Sequence, residues 1–351
     1  MDTTAHKENQ RQAPLASVIV LTCNGRAHLQ ECLESVFDQS YPDFKVILVD
    51  NGSRDGSAAF ARGLFGDRIK IISLPENRGY TGGNNAGIRS ARGQYIALLN
   101  DDLRLDRNWL KESVSVLEER EDFAIAAGKI LSYYRPAEID NVGHLFYPDG
   151  TFRGRGRLEI DRGQYERVEE VMAASGCAMV LRKKALDQAG LFDEDFFIYG
   201  DDSELCLRLR WLGWKAVYTP RAVVYHKYSA TTGAYSPFKA FLVERNRIWI
   251  TIKYFPPLAL ALSPFYALAR FVLQVVAVLT GKGAAGQYTR QYSPLSLPLV
   301  LLKAHLAALA GAGKMWRKRV EINRMKIVAA REFYSWRKRF GLSARELAFK
   351  N

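Results

Sequence analysis

The sequence predicts an α/β protein: a Rossmann-like, mostly parallel sheet with helices on both faces, followed by a C-terminal helical region. Three observations predict it. Short β-rich apolar runs alternate with segments of helical periodicity from Ala16 to Ala127, as βαβ units do. Thr22, Asp50, Asn77 and Asp102 stand at or just beyond the C-terminal ends of the apolar runs, the edge where open α/β sheets bind ligands. From Phe255 onward the texture changes to long apolar stretches bordered by Lys and Arg.

The elements follow in order. Ala16 to Thr22 reads as a strand and Asn24-Gly25 as a turn. Leu29, Cys32, Leu33, Val36 and Phe37 recur at helical spacing. Phe44 to Val49 is a second strand ending in Asp50-Asn51-Gly52-Ser53, and a short helix starts near Ser57. Ile69 to Leu74 is a third strand, and Asn77 to Gly87 a Gly/Asn-rich loop turning into a helix that carries Ile88. Tyr95 to Leu99, a helix from Trp109 to Leu117, and Phe123 to Ala127 continue the alternation. Residues 130–170, polar, Gly-rich and aromatic, read as a β-hairpin insertion. Apolar order returns at Val171 to Leu181. A helix follows Asp201-Asp202 with Leu205, Leu207, Leu209 and Leu212 on its inner side, then come two short strands, Val217 to Tyr218 and Val223 to Tyr225. The expected organisation is a disordered tail over residues 1–14, an α/β domain over 15–250, and a basic, apolar helical region over 251–351.

Charge separates the same parts. The net charge is +13 over 351 residues, but residues 235–351 hold 20 Lys and Arg against 4 Asp and Glu, whereas the rest holds 30 against 33. That asymmetry points to an anionic surface as partner of the C-terminal third. Its basic residues border apolar runs rather than a polar groove, which argues against nucleic acid and for lipid. The four cysteines form no CxxC pair and read as reduced thiols. Met1 to Pro14 is polar and shows no apolar signal core.

The acidic strand end Asn100-Asp101-Asp102 is the most informative local feature. Adjacent carboxylates repel unless a cation lies between them, and oxygen ligands suit magnesium or manganese, which usually arrive with a substrate phosphate. A helix cap would use Asp equally well. Gly79 to Gly87 permits close backbone approach to a ligand, yet lacks the spacing of a phosphate-binding or dinucleotide loop. In Tyr199-Gly200-Asp201-Asp202, carboxylates open a helix, suited either to the helix dipole or to general-base work. His226, one of five histidines, reads as a structural residue or a ligand.

Taken in order, Ala16–Asn24, Leu48–Gly56, Asn77–Asn85, Leu99–Asp102, Tyr199–Asp202 with Leu205–Arg208 and Gly213-Trp214, and Pro220–His226 resemble the family 2 glycosyltransferases of the GT-A fold, over about residues 15–250. The nearest flavour is bacterial rhamnosyltransferases of surface polysaccharide assembly. The resemblance implies that Asp50 holds the pyrimidine base, that Thr22 and Asn24 line the nucleotide pocket, and that Asn77 and Gly79 lie near the ribose and diphosphate. It places Asn100-Asp101-Asp102 at the family's DxD motif, with Asp101 on the sugar or ribose and Asp102 and His226 on Mn2+ or Mg2+. Asp202, or its neighbour Asp201, is the implied base. Asn100 departs from the motif and lowers the charge offered to the metal; Asp201 stands where many members have Glu.

The implied reaction is an inverting transfer from a dTDP- or UDP-sugar to a hydroxyl of a lipid-linked acceptor, on polyprenyl diphosphate, or of a polysaccharide, at the cytoplasmic face of the membrane or alternatively in the cytoplasm, with a homo-oligomer open. A sugar-1-phosphate nucleotidyltransferase would show an Arg/Lys-bearing loop after the first strand, and Thr22 to Arg26 offers one Arg. A non-catalytic nucleotide-sugar-binding protein would not need Asp102, Asp202 and His226 together. For the C-terminus, Leu258 to Thr280 and Leu295 to Gly313 are expected to lie in the membrane interface, with spanning helices or a soluble helical subdomain as alternatives. Arg270 mid-bilayer would cost roughly 2.5–3.5 kcal/mol on insertion scales.

Overall fold

The computed structural model describes residues 16–227, 236–293 and 296–350. The expected tail over 1–14 and Leu295, the start of the second apolar stretch, lie outside the described residues. The first strand, β1 (Ala16–Thr22), is followed by α1 (Arg26–Phe37), β2 (Phe44–Asn51), α2 (Ser57–Phe65), β3 (Ile69–Leu74), α3 (Gly79–Ser90) and β4 (Tyr95–Asn100). These strands pair in parallel in the order β3-β2-β1-β4. The side chains of β1, β2 and β4 are mostly buried on both faces, as a sheet covered by helices requires, while β3 at the sheet edge is half-exposed; α1 and α2 cover one core cluster and α3 another.

Beyond β4 the sheet becomes mixed. The elements here are β5 (Leu103–Leu105), α4 (Trp109–Glu118), β6 (Phe123–Ser132), β7 (Ile139–Asn141), β8 (His144–Phe146), β9 (Phe152–Gly154), β10 (Glu169–Val171), β11 (Ala178–Arg182), α5 (Lys183–Ala189), α6 (Asp201–Trp211) and β12 (Lys215–His226). β11 runs antiparallel between β4 and β6, while β12 is parallel to β6. The insertion contains the expected hairpin, β8 with β9. The two short strands expected near 217 and 223 are one strand, β12, irregular between Thr219 and Val223. Pro220 stands there and can donate no ladder hydrogen bond.

The Gly-rich segment is helix rather than loop: α3 begins at Gly79. Its glycines permit close packing. A Cβ at Gly83 would come 2.4 Å from Leu21 Cδ1, and one at Gly87 2.6 Å from Ile19 Cγ2, so α3 lies closer to β1 than a larger residue would allow.

The C-terminal region contains α7 (Pro237–Tyr254), α8 (Pro257–Leu279), α9 (Gly283–Gln291), α10 (Ser296–Ala310), α11 (Ala312–Met325), α12 (Ala330–Phe340) and α13 (Ala344–Phe349). The basic, aromatic stretch from Val320 to Phe340 is divided between α11 and α12. α7 runs across residue 250. Phe146, Phe196, Leu207 and Trp211 share one cluster with Trp249, Phe255, Phe333, Trp336 and Phe340, so the C-terminal helices pack directly on α6 and the hairpin.

Candidate active site

β4 delivers Asn100 to the sheet edge, and Asp101 and Asp102 follow it, both buried. Asp101 Oδ2 accepts a hydrogen bond from Thr22 Oγ1 at 2.5 Å. A Cβ at Gly25 would lie 1.7 Å from the same oxygen, so the turn after β1 needs glycine. Burial, reinforced by the Asp102 charge, pushes the Asp101 carboxyl up to about 7 against the Thr22 hydrogen bond.

His226 ends β12 opposite Leu103 of β5, and this pairing brings it to Asp102. Its Nε2 lies 3.5 Å from Asp102 Oδ2, and its Nδ1 2.6 Å from Asp140 Oδ2. Arg157 in turn pairs with Asp140 at 2.5 Å. Burial opposes charge on His226, but Cys177 and the hydrogen bonds to Asp102 and Asp140 raise its pKa well above the usual imidazole value. Burial works the other way on the carboxyls of Asp102 and Asp140, and His226 holds both below the usual range. Asp102 Oδ1 is buried and has no hydrogen-bond partner among the described residues. An orphan carboxylate oxygen beside an imidazole, itself oriented by a second carboxylate, is a donor set that fits a divalent cation. Among the described residues no third His, Cys, Asp or Glu converges there. Asp102 and His226 would therefore hold the ion together with substrate oxygens and water.

The second acidic pair is positioned by a strained turn. Phe197 and Tyr199 have φ of 66° and 69°, and Gly200 75°. Non-glycine residues persist there only when their surroundings hold them. The amide of Asn246, on α7, does so: its Nδ2 lies 3.0 Å from Phe196 O, 3.0 Å from Ile198 O and 2.7 Å from Tyr199 O. Gly79 meets the same turn. Its own φ is 70°, a Cβ on it would come 2.3 Å from Phe197 O, and Thr81 N donates to that oxygen at 3.1 Å.

From this turn Asp201 and Asp202 open α6. Asp202 Oδ2 accepts from Gly176 N at 2.9 Å, and Oδ1 from Ser203 N at 2.6 Å and Ser203 Oγ at 3.1 Å. His144 Nδ1 lies 3.3 Å from Ser203 Oγ, and burial keeps the His144 imidazole below its ordinary pKa. Asp201 is the more deeply buried of the pair. Burial, and then the Asp202 charge, pushes its carboxyl well above the usual range. Asp202 is the less buried of the two, and its carboxylate is fixed by three donors at the cleft.

These groups face one cleft of about 610 Å³, lined by Asn77, Gly79, Asn100, Asp101, Asp102, Asp201, Asp202 and His226 among others. Three of the expected nucleotide-binding residues are not on its wall. Thr22 lies beneath Asp101. Asp50 Oδ1 accepts from Ser53 N at 2.9 Å, and Asn24 Oδ1 from Arg54 N at 2.8 Å, so these two fold the turn at the cleft's rim. Asn77 Oδ1 accepts from Asn51 Nδ2 at 3.0 Å and from Gly79 N at 2.8 Å. Sequence reasoning missed Asn51, Asp140, His144, Gly176, Ser203 and Asn246. Asp140, His144, Gly176 and Asn246 carry no strand-end or acidic-pair signal and reach the site through tertiary placement.

Comparison with known proteins bears on the family and the fold. The model of the family described as "Glycosyl transferase family 2" matches residues 17–190. The low-salt glycan biosynthesis hexosyltransferase Agl10 of Haloferax volcanii is 26% identical over 57% of this chain and 64% of its own length. The O-antigen biosynthesis protein RfbC of Myxococcus xanthus is 28% identical over 64% of this chain and 18% of its own. The chain spans about two-thirds or less of the length of the curated relatives it matches. Among solved structures, the mannosyltransferase PcManGT from Pyrobaculum calidifontis, in complex with GDP-Man and Mn2+, shares the fold with a TM-score of 0.54 at 18% identity, over 85% of this chain and 88% of that one. The order of the motifs, the GT-A sheet and the matched family model agree: through residues 17–190 this chain belongs to glycosyl transferase family 2.

Proposed function

We propose that the protein transfers a sugar, with inversion, from a nucleoside-diphosphate donor to an acceptor hydroxyl. The observation that carries the reading is the meeting in one cleft of two different acidic sites: Asp102 with His226 and an orphan carboxylate oxygen, and Asp202 with three hydrogen-bond donors behind it. Asp102 and His226 would hold Mn2+ or Mg2+, which supplies charge neutralisation for the departing diphosphate when bound. Mn2+ in the PcManGT complex supports the manganese choice. Asp101 and Asn100 would face the donor's sugar or ribose, Asn77 and Gly79 its diphosphate, and Thr22, Asn24 and Asp50 would shape the nucleotide end.

Asp202 accepts the proton of the acceptor hydroxyl. The oxygen attacks the anomeric carbon from the face opposite the diphosphate, whose bond to that carbon breaks as the new one forms. A single displacement inverts the centre. The donor we favour is a dTDP- or UDP-sugar, rhamnose included. The acceptor we favour is a saccharide on polyprenyl diphosphate at the cytoplasmic face of the membrane, in keeping with the O-antigen and glycan biosynthesis of the relatives. Association into a homo-oligomer is compatible with this reading.

The test is a panel of UDP-, dTDP- and GDP-sugars with purified protein and Mn2+, read by nucleotide release. One donor should release nucleoside diphosphate. Release of pyrophosphate from a nucleoside triphosphate and sugar phosphate would instead mean a nucleotidyltransferase. Asp202→Asn should lower transfer by about 10²–10⁴-fold while donor binding by calorimetry persists, and Asp102→Asn should abolish the metal-dependent part of that binding. Normal transfer by Asp202→Asn would remove it as the base.

A further inference from the structure

α8 is long and apolar enough to cross a membrane, yet its two faces differ. One face, through Ala259, Ser263, Ala267 and Arg270, is buried against the protein. The other presents Leu258, Leu262, Phe265, Leu268, Val272 and Leu279 to the outside, with Phe265 69% and Leu279 81% exposed. α10 repeats the arrangement: Ala304 and Ala308 are buried, and Leu299, Leu302, Leu306 and Leu309 are exposed. The rings of Phe271 and His305 lie 6.2 Å apart, so the two helices are neighbours, and both rest on α7. Monomeric soluble proteins rarely expose apolar side chains in such contiguous rows.

Arg270 decides how α8 can meet a bilayer. Its Nε lies 2.6 Å from Asp149 Oδ2 and its Nη2 3.0 Å from Glu244 Oε2. Arg247 pairs with the same Glu244 and donates to Asp149 O at 3.0 Å. The cationic midpoint of α8 is thus tied into a buried cluster of two arginines and two carboxylates. A spanning α8 would have to leave that cluster and take from both buried acids one of their two guanidinium partners, leaving only Arg247 to them on α7. A helix lying flat keeps the cluster intact while its exposed row enters the lipid.

Charge selects the occupant. Residues 257–326 contain ten Lys and Arg and one acid, Glu321. Lys282, Arg290, Lys303, Lys314, Arg317 and Lys326 are all exposed. Anionic lipid headgroups complement this surface, whereas a second copy would bring the same positive charge against it. We propose that α8 and α10 form an in-plane anchor on an anionic membrane, set one helix layer from the cleft. α7 is that layer. Its Phe238, Lys239, Val243, Arg247 and Ile250 line the cleft, and Asp149, under α8, directly precedes the lining segment Gly150 to Gly154. A lipid-borne acceptor would reach Asp202 from this side.

The purpose of the anchor rests on the transferase reading; binding itself is measured without donor or acceptor. The full chain is floated with phosphatidylcholine vesicles and with vesicles carrying about one-third phosphatidylglycerol. Binding should need the anionic lipid, weaken with salt over the Debye range, and fall about tenfold or more in Leu268→Glu/Leu306→Glu. That variant replaces exposed residues and should keep the native circular dichroism. Tryptophan at 268 should be quenched by shallow but not deep brominated lipid. Three results would overturn the anchor: no vesicle binding by folded protein at low salt, a protease-protected segment that resists carbonate extraction, or self-association without lipid that the glutamates abolish. A protein that turns over donor but stays off vesicles sinks only this inference; one that binds vesicles without turnover sinks only the transferase reading.

Discussion

At the scale of single residues, two side chains outside the acidic motifs control whether those motifs can work. Asp140 fixes His226 by its Nδ1, leaving Nε2 toward Asp102. Carboxylates that orient a ligating imidazole typically matter 10–100-fold in metal affinity. Asp140→Ala should therefore weaken Mn2+ binding about 10–100-fold, read by paramagnetic resonance titration of free Mn2+, with the melting temperature followed in parallel. Unchanged affinity in a folded variant would reduce Asp140 to a packing residue. Asn246 acts on the other acidic pair, because it holds the left-handed turn before Asp201. Asn246→Ala should lower kcat at least about tenfold with donor KM little changed, since a small misplacement of a base costs rate more than ground-state binding. An equal rise of KM without loss of kcat would contradict it. The strand-end acids were legible because a β-run ending in carboxylates is a local signal. Asp140 and Asn246 were not, because they reach the site through β7 and α7, elements whose placement no local pattern reveals.

At the scale of elements, α7 and α8 are fastened by buried ions rather than by apolar contact alone. Arg270 and Arg247, opposing burial, hold Glu244 down at about 2. Lys253 and Lys318 likewise hold Asp193 at about 2 against burial. Both values lie below the unfolded carboxylate range near 4. The stabilisation is therefore fully present above about pH 4 and is lost as pH falls toward 2, and for both groups it is on the order of a few kcal/mol in all. Acid titration should release α7, α8 and α11 in that window, reported by a red shift of Trp249 and Trp211 fluorescence. A transition confined to pH above 5 would contradict the assignment to these carboxylates. The elements themselves were mostly readable. β1 ends where its apolar run ends, since a strand buried on both faces leaves a continuous apolar run. Strand direction was not readable: β11 is as apolar as β4 and β6, to which it is antiparallel, and an antiparallel strand buried on both faces carries the same pattern as a parallel one. The glycines of α3 misled for a related reason, because glycine marks loops and close helix packing alike.

For the whole molecule, the composition break near residue 255 suggests a separable C-terminal region, but the packing joins the two parts into one folding unit. Glu204 of α6 is fully buried. Its partners are Arg208 on its own helix and, from the end of α7, Lys253 at 2.5 Å and Tyr254. Trp211 stacks with Phe333 at 6.4 Å and meets Trp336 at 5.1 Å. Leu342 N donates to Phe146 O at 3.0 Å, tying the chain's end to the hairpin that carries His144. Cutting after residue 250 would take Lys253 and Tyr254 from Glu204 Oε1, leaving Arg208 as its charged partner, and a buried acceptor that loses its donors costs about 1–3 kcal/mol. It would also uncover Phe146, Phe196 and Trp211, each worth about 1.5–3 kcal/mol of burial. The sum is comparable to the whole stability of an ordinary domain. A chain ending at residue 250 should therefore be insoluble or molten, with lost near-ultraviolet dichroism and no cooperative melt. Phe333→Ala in the full chain should melt cooperatively but lower, by the about 3–5 kcal/mol of a large core truncation. A truncated chain that melts cooperatively and binds donor would show that the family 2 domain folds alone and that the C-terminal helices are an appendage after all.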